Sequence, residues 1–183
     1  RTNIRFNTTA EPMGALGDMG WYAMRAIVEY LQPEGQIVKF AVATESDPET
    51  GAVIRASGVM SFDSGEQATF DVGYTSNTGI MDLRLTGTLG TITLDDFPLD
   101  WTNSIAYQNQ DIETGYFYRS GRVTRKNVSF VKTPSSVAAD VLMIDHFVEL
   151  VIMQDTASRV GYASAMLKTQ QFLDTAWESI QTS

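Results

Sequence analysis

The chain has 183 residues, 43% of them hydrophobic, which is enough for one compact domain with its own core. It has no cysteine, which excludes disulfides and thiolate metal sites and is compatible with a cytoplasmic protein. The formal net charge is -9 without any cluster of lysines and arginines, and no apolar run is long enough to cross a bilayer, so neither nucleic acid nor membrane is an expected partner.

The first predicted element is a helix from about Leu16 to Leu31, preceded by a polar segment that lacks an initiator methionine. That opening suggests a domain cut from a longer protein. Gly14, Gly17 and Gly20 are poor helix formers at the start of this helix, so they predict close approach of a neighbouring backbone. Their spacing is not the G-x-G-x-x-G of a dinucleotide cradle, and no predicted strand precedes them.

A strand-rich region follows, in which apolar side chains alternate with polar or small ones. The candidate strands are 36–44, 54–62, 68–74, 81–86, 91–94, 104–108 and 115–131. Asp63-Ser64-Gly65 is typical of a hairpin turn. Successive hairpins with this alternation predict an open, mostly antiparallel sheet of about six strands with one covered face.

Two helices are predicted near the end of the chain, one capped by Ser135 or Ser136 and running to about Met153, the other from about Tyr162 to Ile180. Strands followed by helices predict an α+β fold, with helices on one face of the sheet and residues 1–183 as a single domain. The only histidine, at position 146 on the first of these helices, is interpreted as a partly buried structural residue. A single histidine excludes histidine-rich metal sites, and no metal site is predicted.

Asp18 and Tyr22 are four residues apart, so on a helix they project from one face about one turn from each other. A carboxylate and a phenol placed in this way can orient a hydroxyl and move its proton where water is excluded. Both residue types also have structural roles, because aspartate stabilises the first turn of a helix and tyrosine packs in a core with its hydroxyl at the edge. Residue types alone favour the structural roles.

The segment Gly14-Ala-Leu-Gly-Asp-Met-Gly-Trp-Tyr22 resembles the G-x-L-x-D-x-G-x-Y/H signature that opens the second domain of the Gfo/Idh/MocA oxidoreductases. These are NAD(P)-dependent enzymes that act on sugars, polyols and dihydrodiols. Residues 51–74 resemble the family's hairpin, and residues 85–94 resemble its I-x-G-T-x-G-x-L-x-L strand pair. Residues 143–147 and 169–179 resemble its two closing helical segments, so the matches follow the family's order over most of the chain.

The resemblance implies a C-terminal substrate and dimerisation domain, with the open antiparallel sheet known from the second domain of dihydrodipicolinate reductase. It implies that Tyr22 donates or accepts the proton of the substrate hydroxyl and that Asp18 orients the sugar or diol. Trp21 would either shape the pocket wall or point into the core. The family's catalytic lysine and the Rossmann domain that binds NAD or NADP have no counterpart in this chain.

These implications lead to the expectation of a homo-oligomer formed through the open sheet face, and of a chain that is inactive without its preceding half. Two other functions stay open. One is a non-catalytic domain that uses the open sheet for assembly. The other is a sugar-binding domain in which Asp18, Trp21 and Tyr22 recognise the ligand by stacking and hydrogen bonding. A zinc or calcium hydrolase is disfavoured because no ligand spacing supports it.

Overall fold

A computed structural model of the chain describes residues 3–77, 79–95, 97, 113–121, 127–154 and 156–182. The chain divides into two compact units, Arg1–Asn77 with Val160–Ser183 and Thr78–Arg159. The strands are β1 (Ile37–Ser46), β2 (Val53–Phe62), β3 (Gln67–Gly73), β4 (Leu83–Thr86), β5 (Gly90–Leu94), β6 (Gly115–Ser120) and β7 (Val128–Lys132). The α-helices are α1 (Ala15–Asp18), α2 (Gly20–Ala26), α3 (Ala139–Ile152) and α4 (Thr156–Gln181). A 3-10 helix spans Ile4–Phe6, and a π-helical turn spans Ile27–Leu31.

The first unit contains an antiparallel sheet in the order β1–β2–β3. Gly58 of β2 lies opposite Val42 of β1 and Phe70 of β3, so these three positions share one face. The turn between β1 and β2 is closed by the buried carboxylate of Asp47, which accepts hydrogen bonds from the backbone amides of Glu49 and Thr50, both at 3.0 Å.

The turn between β2 and β3 is the predicted Asp63-Ser64-Gly65, with Gly65 at a φ of 105° that suits glycine. This turn also holds the segment that leads into β1. The amide of Gln36 donates to Asp63 Oδ1 at 2.8 Å, and the amide of Gly35 donates to Ser64 Oγ at 2.8 Å.

One face of this sheet is covered by α1, α2, the π-helical turn and the C-terminal part of α4. The core residues that they share with the sheet are Leu16, Met24, Ile27, Val53, Ala56, Met60, Phe62, Phe70, Phe172, Leu173 and Ala176. Helix α1 packs against β2 and β3, and α2 packs against β3. Burial of these large side chains supplies most of the stability of such short helices.

Gly14 fixes where α1 meets the sheet. Its φ is +52°, and a Cβ added there would lie 2.2 Å from the carbonyl oxygen of Val53. The predicted close backbone approach is therefore confirmed at this glycine. At Gly17 and Gly20 the nearest neighbours of an added Cβ are side chains, with Glu11 Oε1 at 2.6 Å and Leu16 Cδ1 at 3.0 Å.

The second unit contains an antiparallel sheet in the order β4–β5–β6–β7, together with α3. Leu85 of β4 lies opposite Ile92 of β5, and Ile92 lies opposite Tyr118 of β6. Phe117 of β6 and Phe130 of β7 form an adjacent aromatic pair whose ring centroids are 5.0 Å apart. Cross-strand pairs of this kind are a main source of stability in a sheet.

The α+β class and the antiparallel strand pairing are confirmed. The described strands are divided over sheets of three and four strands, where patterning predicted one sheet of about six. The alternation of apolar and polar residues cannot distinguish one sheet from two, because it defines which face of a strand is covered and not which strands are neighbours. The candidate strand 104–108 lies outside the described residues, and the single domain over 1–183 stays a prediction.

Two predictions are wrong for α3, which corresponds to the predicted helix that ends at about Met153. Its N-cap is Ala138, without a side-chain cap, because Ser135 Oγ donates to the carbonyl of Val137 instead. His146 is exposed, with 51% of its side chain accessible, and its Nδ1 lies 3.8 Å from Glu149 Oε2. The prediction of partial burial assumed that the apolar residues of this helix are covered, whereas α3 has no buried residue.

Candidate functional site

Asp18 is the last residue of α1, and its carboxylate accepts hydrogen bonds from two separate parts of the first unit. Arg5 Nε donates to Oδ2 at 2.5 Å, and Arg5 Nη2 donates to Oδ1 at 3.4 Å. The hydroxyl of Tyr74 donates to Oδ2 at 3.1 Å. We call Arg5, Asp18 and Tyr74 the Asp18 cluster. The Asp18 side chain is 28% exposed, so it remains within reach of a ligand.

The sheet places Tyr74 in the Asp18 cluster. Tyr74 follows β3, and its amide donates to the carbonyl of Ile54 at 2.9 Å, which continues the pairing with β2. Because alternate residues of a strand share a face, Tyr74 lies on the same face as Phe70, the face that α1 covers. The ring also packs against Phe6, with centroids 6.2 Å apart.

The environment keeps the Tyr74 phenol protonated. Burial raises the pKa of Tyr74 above its usual range, and the nearby charge and hydrogen bond of Asp18 raise it further, while Arg5 acts in the opposite direction. The carboxylate of Glu11 adds to the upward shift. Tyr74 is therefore a hydrogen-bond donor to Asp18 at any ordinary pH.

Arg5 is presented by the 3-10 helix Ile4–Phe6. Asn3 caps this helix, since its Oδ1 accepts from the amide of Arg5 at 3.0 Å. The hydrogen bond with Asp18 raises the pKa of the Arg5 guanidinium above its usual value. The resulting two-pronged contact is the geometry by which arginine holds a carboxylate most firmly.

Tyr22 and Trp21 lie in α2, beyond a one-residue interruption at Met19 that separates α1 from α2. The predicted single helix is thus divided between Asp18 and Tyr22. Tyr22 is 50% exposed. Tyr22 and Asp18 both lie within the described residues, and no hydrogen bond joins them. Trp21 is partly buried and packs against the core, which is one of the two placements that the sequence left open.

Sequence reasoning missed Arg5 and Tyr74. Arg5 lies in the polar segment that precedes the first predicted helix, and Tyr74 is the last residue of the candidate strand 68–74. The signal that could have identified Tyr74 is its position. It follows the inward-facing Phe70 and Val72 at the end of a strand, where a polar group on the covered face needs a partner.

Two concavities lie elsewhere in the described chain. A groove of about 550 Å³ lies between the segment before β1 and α4, lined in part by Gln36, Lys168 and Gln171. A second concavity, of about 380 Å³, lies at the β4–β5 turn beside Arg119. Neither includes Asp18, Trp21 or Tyr22. Among the described residues no group of three or more potential ligands could hold a metal ion.

The described residues do not provide a dinucleotide-binding unit. Every strand pair within residues 37–132 that the structure describes is antiparallel, whereas such a unit consists of parallel strands joined through a helix. The described part of the chain therefore does not fit NAD(P) as a ligand held by its own residues. None of the described helices is long and apolar enough to cross a membrane.

Comparisons with known proteins identify the family from the sequence and the fold from solved structures. The sequence model of the GFO/IDH/MocA C-terminal domain matches residues 1–93. The structure is similar to a 3-ketoreductase from Actinomadura kijaniata solved with NADP and TDP-benzene, with a TM-score of 0.75 and 15% identity over 98% of this chain and 49% of that one. It is also similar to an aldose-aldose oxidoreductase from Caulobacter crescentus complexed with glycerol, with a TM-score of 0.74 and 14% identity over 99% and 49%. The chain thus spans about half the length of these proteins.

Proposed function

Since the chain belongs to the Gfo/Idh/MocA C-terminal domain family, we propose that it is the substrate-binding half of an NAD(P)-dependent oxidoreductase acting on a sugar, polyol or dihydrodiol hydroxyl. The observation that carries the proposal is the carboxylate of Asp18. It is held by Arg5 and Tyr74 yet is still 28% exposed, in the helical segment that also presents the phenol of Tyr22. An anchored acceptor in the same helical segment as an accessible phenol suits a substrate that carries several hydroxyl groups.

In this function the two signature residues divide the work. Tyr22 moves the proton of the reacting hydroxyl: as a phenolate it accepts this proton during oxidation and becomes a phenol, and as a phenol it donates the proton back during reduction. Asp18 accepts a hydrogen bond from a hydroxyl of the substrate and sets the orientation of the ring or chain. Trp21 packs partly against the core, so only its remaining exposed surface would contribute to the pocket wall. NAD or NADP supplies the hydride acceptor and would be bound mainly by a preceding domain.

We expect the active protein to be longer than this chain. The two solved relatives are each about twice its length, and the described residues do not form a dinucleotide-binding unit. The chain of 183 residues alone is accordingly expected to catalyse no hydride transfer. The intact mass of the natural gene product checks this point. The cytoplasmic location is part of the same proposal and rests on the cysteine-free composition.

The activity is tested on the gene product purified at its natural length. NAD+ or NADP+ is supplied with D-glucose, D-xylose, glycerol or a cis-dihydrodiol, and reduction of the nucleotide is followed at 340 nm. We expect turnover with at least one of these alcohols. Tyr22→Phe should lower kcat by about 10²–10⁴-fold, because it removes the group that moves the proton.

A matched control comes from the same helical segment. Tyr30 lies in the π-helical turn and is also 50% exposed, so Tyr30→Phe removes an equally accessible phenol. Its kcat should equal that of the unmodified protein. Unchanged rates in Tyr22→Phe would remove Tyr22 from the mechanism. Binding of a sugar by the 183-residue chain, without any nucleotide and without turnover by the gene product, would favour the sugar-binding alternative.

Homo-oligomerisation is the second part of the proposal, and the outer face of the β1–β3 sheet supports it. The middle of this face has small side chains at Ala41, Ala43 and Ser57, where a second sheet could approach, whereas Lys39, Glu45, Arg55 and Asp71 are charged. The members of this face are Lys39, Ala41, Ala43, Glu45, Arg55, Ser57, Val59, Ser61, Gln67, Thr69, Asp71 and Gly73. The residues of β1 on this face are exposed, so the face is open in a single copy of the chain.

Light scattering coupled to gel filtration tests this contact. We expect the 183-residue chain to be larger than a monomer and Ala41→Glu to shift it to the monomer, because Ala41 is exposed within this face. Val38→Glu is the control, since Val38 is an exposed residue of β1 at the bulge, outside the paired positions of this face. A monomeric parent chain would support a domain without self-association.

A further inference from the structure

The hydroxyl of Tyr74 is a feature that packing does not explain. The ring already has a partner in Phe6, at 6.2 Å between centroids, and it lies on the covered face of the sheet. Its oxygen nevertheless reaches across to α1 and donates to Asp18 Oδ2 at 3.1 Å. This hydrogen bond joins the end of β3 to the carboxylate that the family signature carries.

Counting acceptor sites shows what the Asp18 cluster leaves free. An ionised carboxylate has about four lone-pair sites. Arg5 uses one on each oxygen, and Tyr74 uses the second on Oδ2. About one site remains, and it is on Oδ1. A substrate hydroxyl can therefore donate a hydrogen bond to Asp18 only at the free site of Oδ1. The direction of that site is fixed because Tyr74 and Arg5 keep the carboxylate from rotating.

The contacts of Asp18 indicate that the residue that orients the substrate hydroxyl differs from the residue that moves its proton. A group that relays a proton must gain and lose it during the reaction. The Asp18 carboxylate already accepts hydrogen bonds from a guanidinium and a phenol, and this geometry places it to accept a further one from a substrate hydroxyl. Tyr22 lies outside the Asp18 cluster and is half-exposed, so it is the group available to move the proton.

We infer that Tyr74 is a positioning residue: its hydroxyl fixes the Asp18 carboxylate so that Oδ1 alone orients the substrate hydroxyl, while Tyr22 moves the proton. The inference rests on the proposed function for the identity of the substrate. The contact itself, between Tyr74 and Asp18, is independent of any substrate and can be measured in the chain alone.

The first experiment measures the contact by NMR. The 183-residue chain is labelled with tyrosine carrying ¹³C at Cζ, and the Tyr74 resonance, assigned by its loss in Tyr74→Phe, is followed from pH 8 to 12. Asp18→Asn should lower the pKa of Tyr74 and move its titration toward the measured range, because it removes a negative charge that helps to raise the pKa. Glu11→Gln should lower it by a smaller amount. A Tyr74 resonance that is unaffected by Asp18→Asn would overturn the inference.

The second experiment separates positioning from folding. Tyr74→Phe keeps the ring and its packing against Phe6 and removes only the hydroxyl. With the gene product and whichever of the four alcohols gives turnover, we expect KM to rise about 10-fold, corresponding to the loss of a hydrogen bond to a charged group. The value of kcat should change less than about 3-fold, in contrast to Tyr22→Phe.

Tyr118→Phe is the matched control. The Tyr118 hydroxyl donates to the carbonyl of Leu89 at 3.3 Å in the second unit, so the variant also loses a phenol hydrogen bond, but one outside the Asp18 cluster. Its KM should be unchanged. If Tyr22→Phe is impaired and Tyr74→Phe is not, this inference alone is overturned. If no alcohol is oxidised, the proposed function fails, and the positioning role fails with it even where NMR detects the contact.

Discussion

The two units of the chain cover their apolar helices to very different extents. In the first unit, Leu16 of α1, Met24 of α2 and Ala176 of α4 are 0% exposed. In the second unit α3 has no buried residue, and its Met143 and Phe147 are 67% and 66% exposed. Packing of an apolar face normally supplies most of a helix's stability. The helix that carries Asp18 is therefore held by the sheet, whereas within the described residues α3 depends on its own backbone hydrogen bonds and residue propensities.

The largest effect on stability is expected at Gly14, where the backbone of the first unit is most closely packed. Gly14→Ala would place a Cβ 2.2 Å from the carbonyl oxygen of Val53 and force a φ of +52° on alanine. We expect a loss of at least about 4 kcal/mol in the free energy of unfolding, measured by urea denaturation followed by circular dichroism.

The control for this prediction is Gly161→Ala in α4. No atom lies within 4 Å of the position of its added Cβ, and alanine is the better helix former, so stability should rise by up to about 1 kcal/mol. Equal stability of the two alanine variants would show that α1 is not held against β2 as described.

The second prediction compares the same substitution in both units. Leu16→Ala removes a fully buried side chain and should cost about 3–5 kcal/mol, because it loses apolar burial and leaves a cavity. Leu142→Ala in α3 removes a side chain that is 48% exposed and should cost about 0.5 kcal/mol or less. Thermal denaturation of both variants measures the difference. A large loss in Leu142→Ala would mean that α3 is covered after all.

The third prediction concerns alkaline pH and the first unit alone. Burial and the charge of Asp18 raise the pKa of Tyr74 in the folded chain. The contribution of this tyrosine to the free energy of unfolding is therefore complete below about pH 10, where an unfolded tyrosine titrates. It is lost as the pH rises from there toward the pKa of the folded state. The slope is at most about 1.4 kcal/mol per pH unit, and less after screening by solvent. Urea denaturation between pH 9 and 11.5 should show this loss in the parent chain but not in Tyr74→Phe. Parallel curves would contradict it.

The smallest effect is expected on the outer face of the sheet. Arg55 and Asp71 pair there at 2.6 Å, with about half of each side chain exposed. The hydrogen bond from Arg55 lowers the pKa of Asp71, so the pair contributes above about pH 4 and its contribution is lost as the pH falls. A double-mutant cycle with Arg55→Ala and Asp71→Ala, made in the monomeric Ala41→Glu background so that the face stays open to solvent, should give a coupling far smaller than the loss in Leu16→Ala. A coupling as large as the loss in Leu16→Ala would show that this face is not solvent-exposed.

Much of the first unit could be predicted from local sequence. The turn at Asp63-Ser64-Gly65, the alternation in β2 and β3 and the close approach at Gly14 follow from residue type and spacing. The cluster around Asp18 could not be predicted in this way. A pair such as Asp18 and Tyr22 is visible as a spacing, whereas Arg5 and Tyr74 reach Asp18 only through the packing of α1 on the sheet. The burial of α3 was overestimated for the same reason, since apolar residues indicate a need for cover and not what supplies it.

The hydrogen bond between Tyr74 and Asp18 also links the site to the order of folding. It spans 56 residues, and the bond between Arg5 and Asp18 spans 13. The Tyr74 contact requires β1, β2 and β3 to be paired and α1 to be docked, because long-range contacts form after the chain between them is ordered. The recovery of the Tyr74 resonance during refolding would therefore time the docking of α1 on the paired sheet. A nascent or partly folded chain would lack the anchored carboxylate, so the Asp18 cluster is a property of the folded first unit alone.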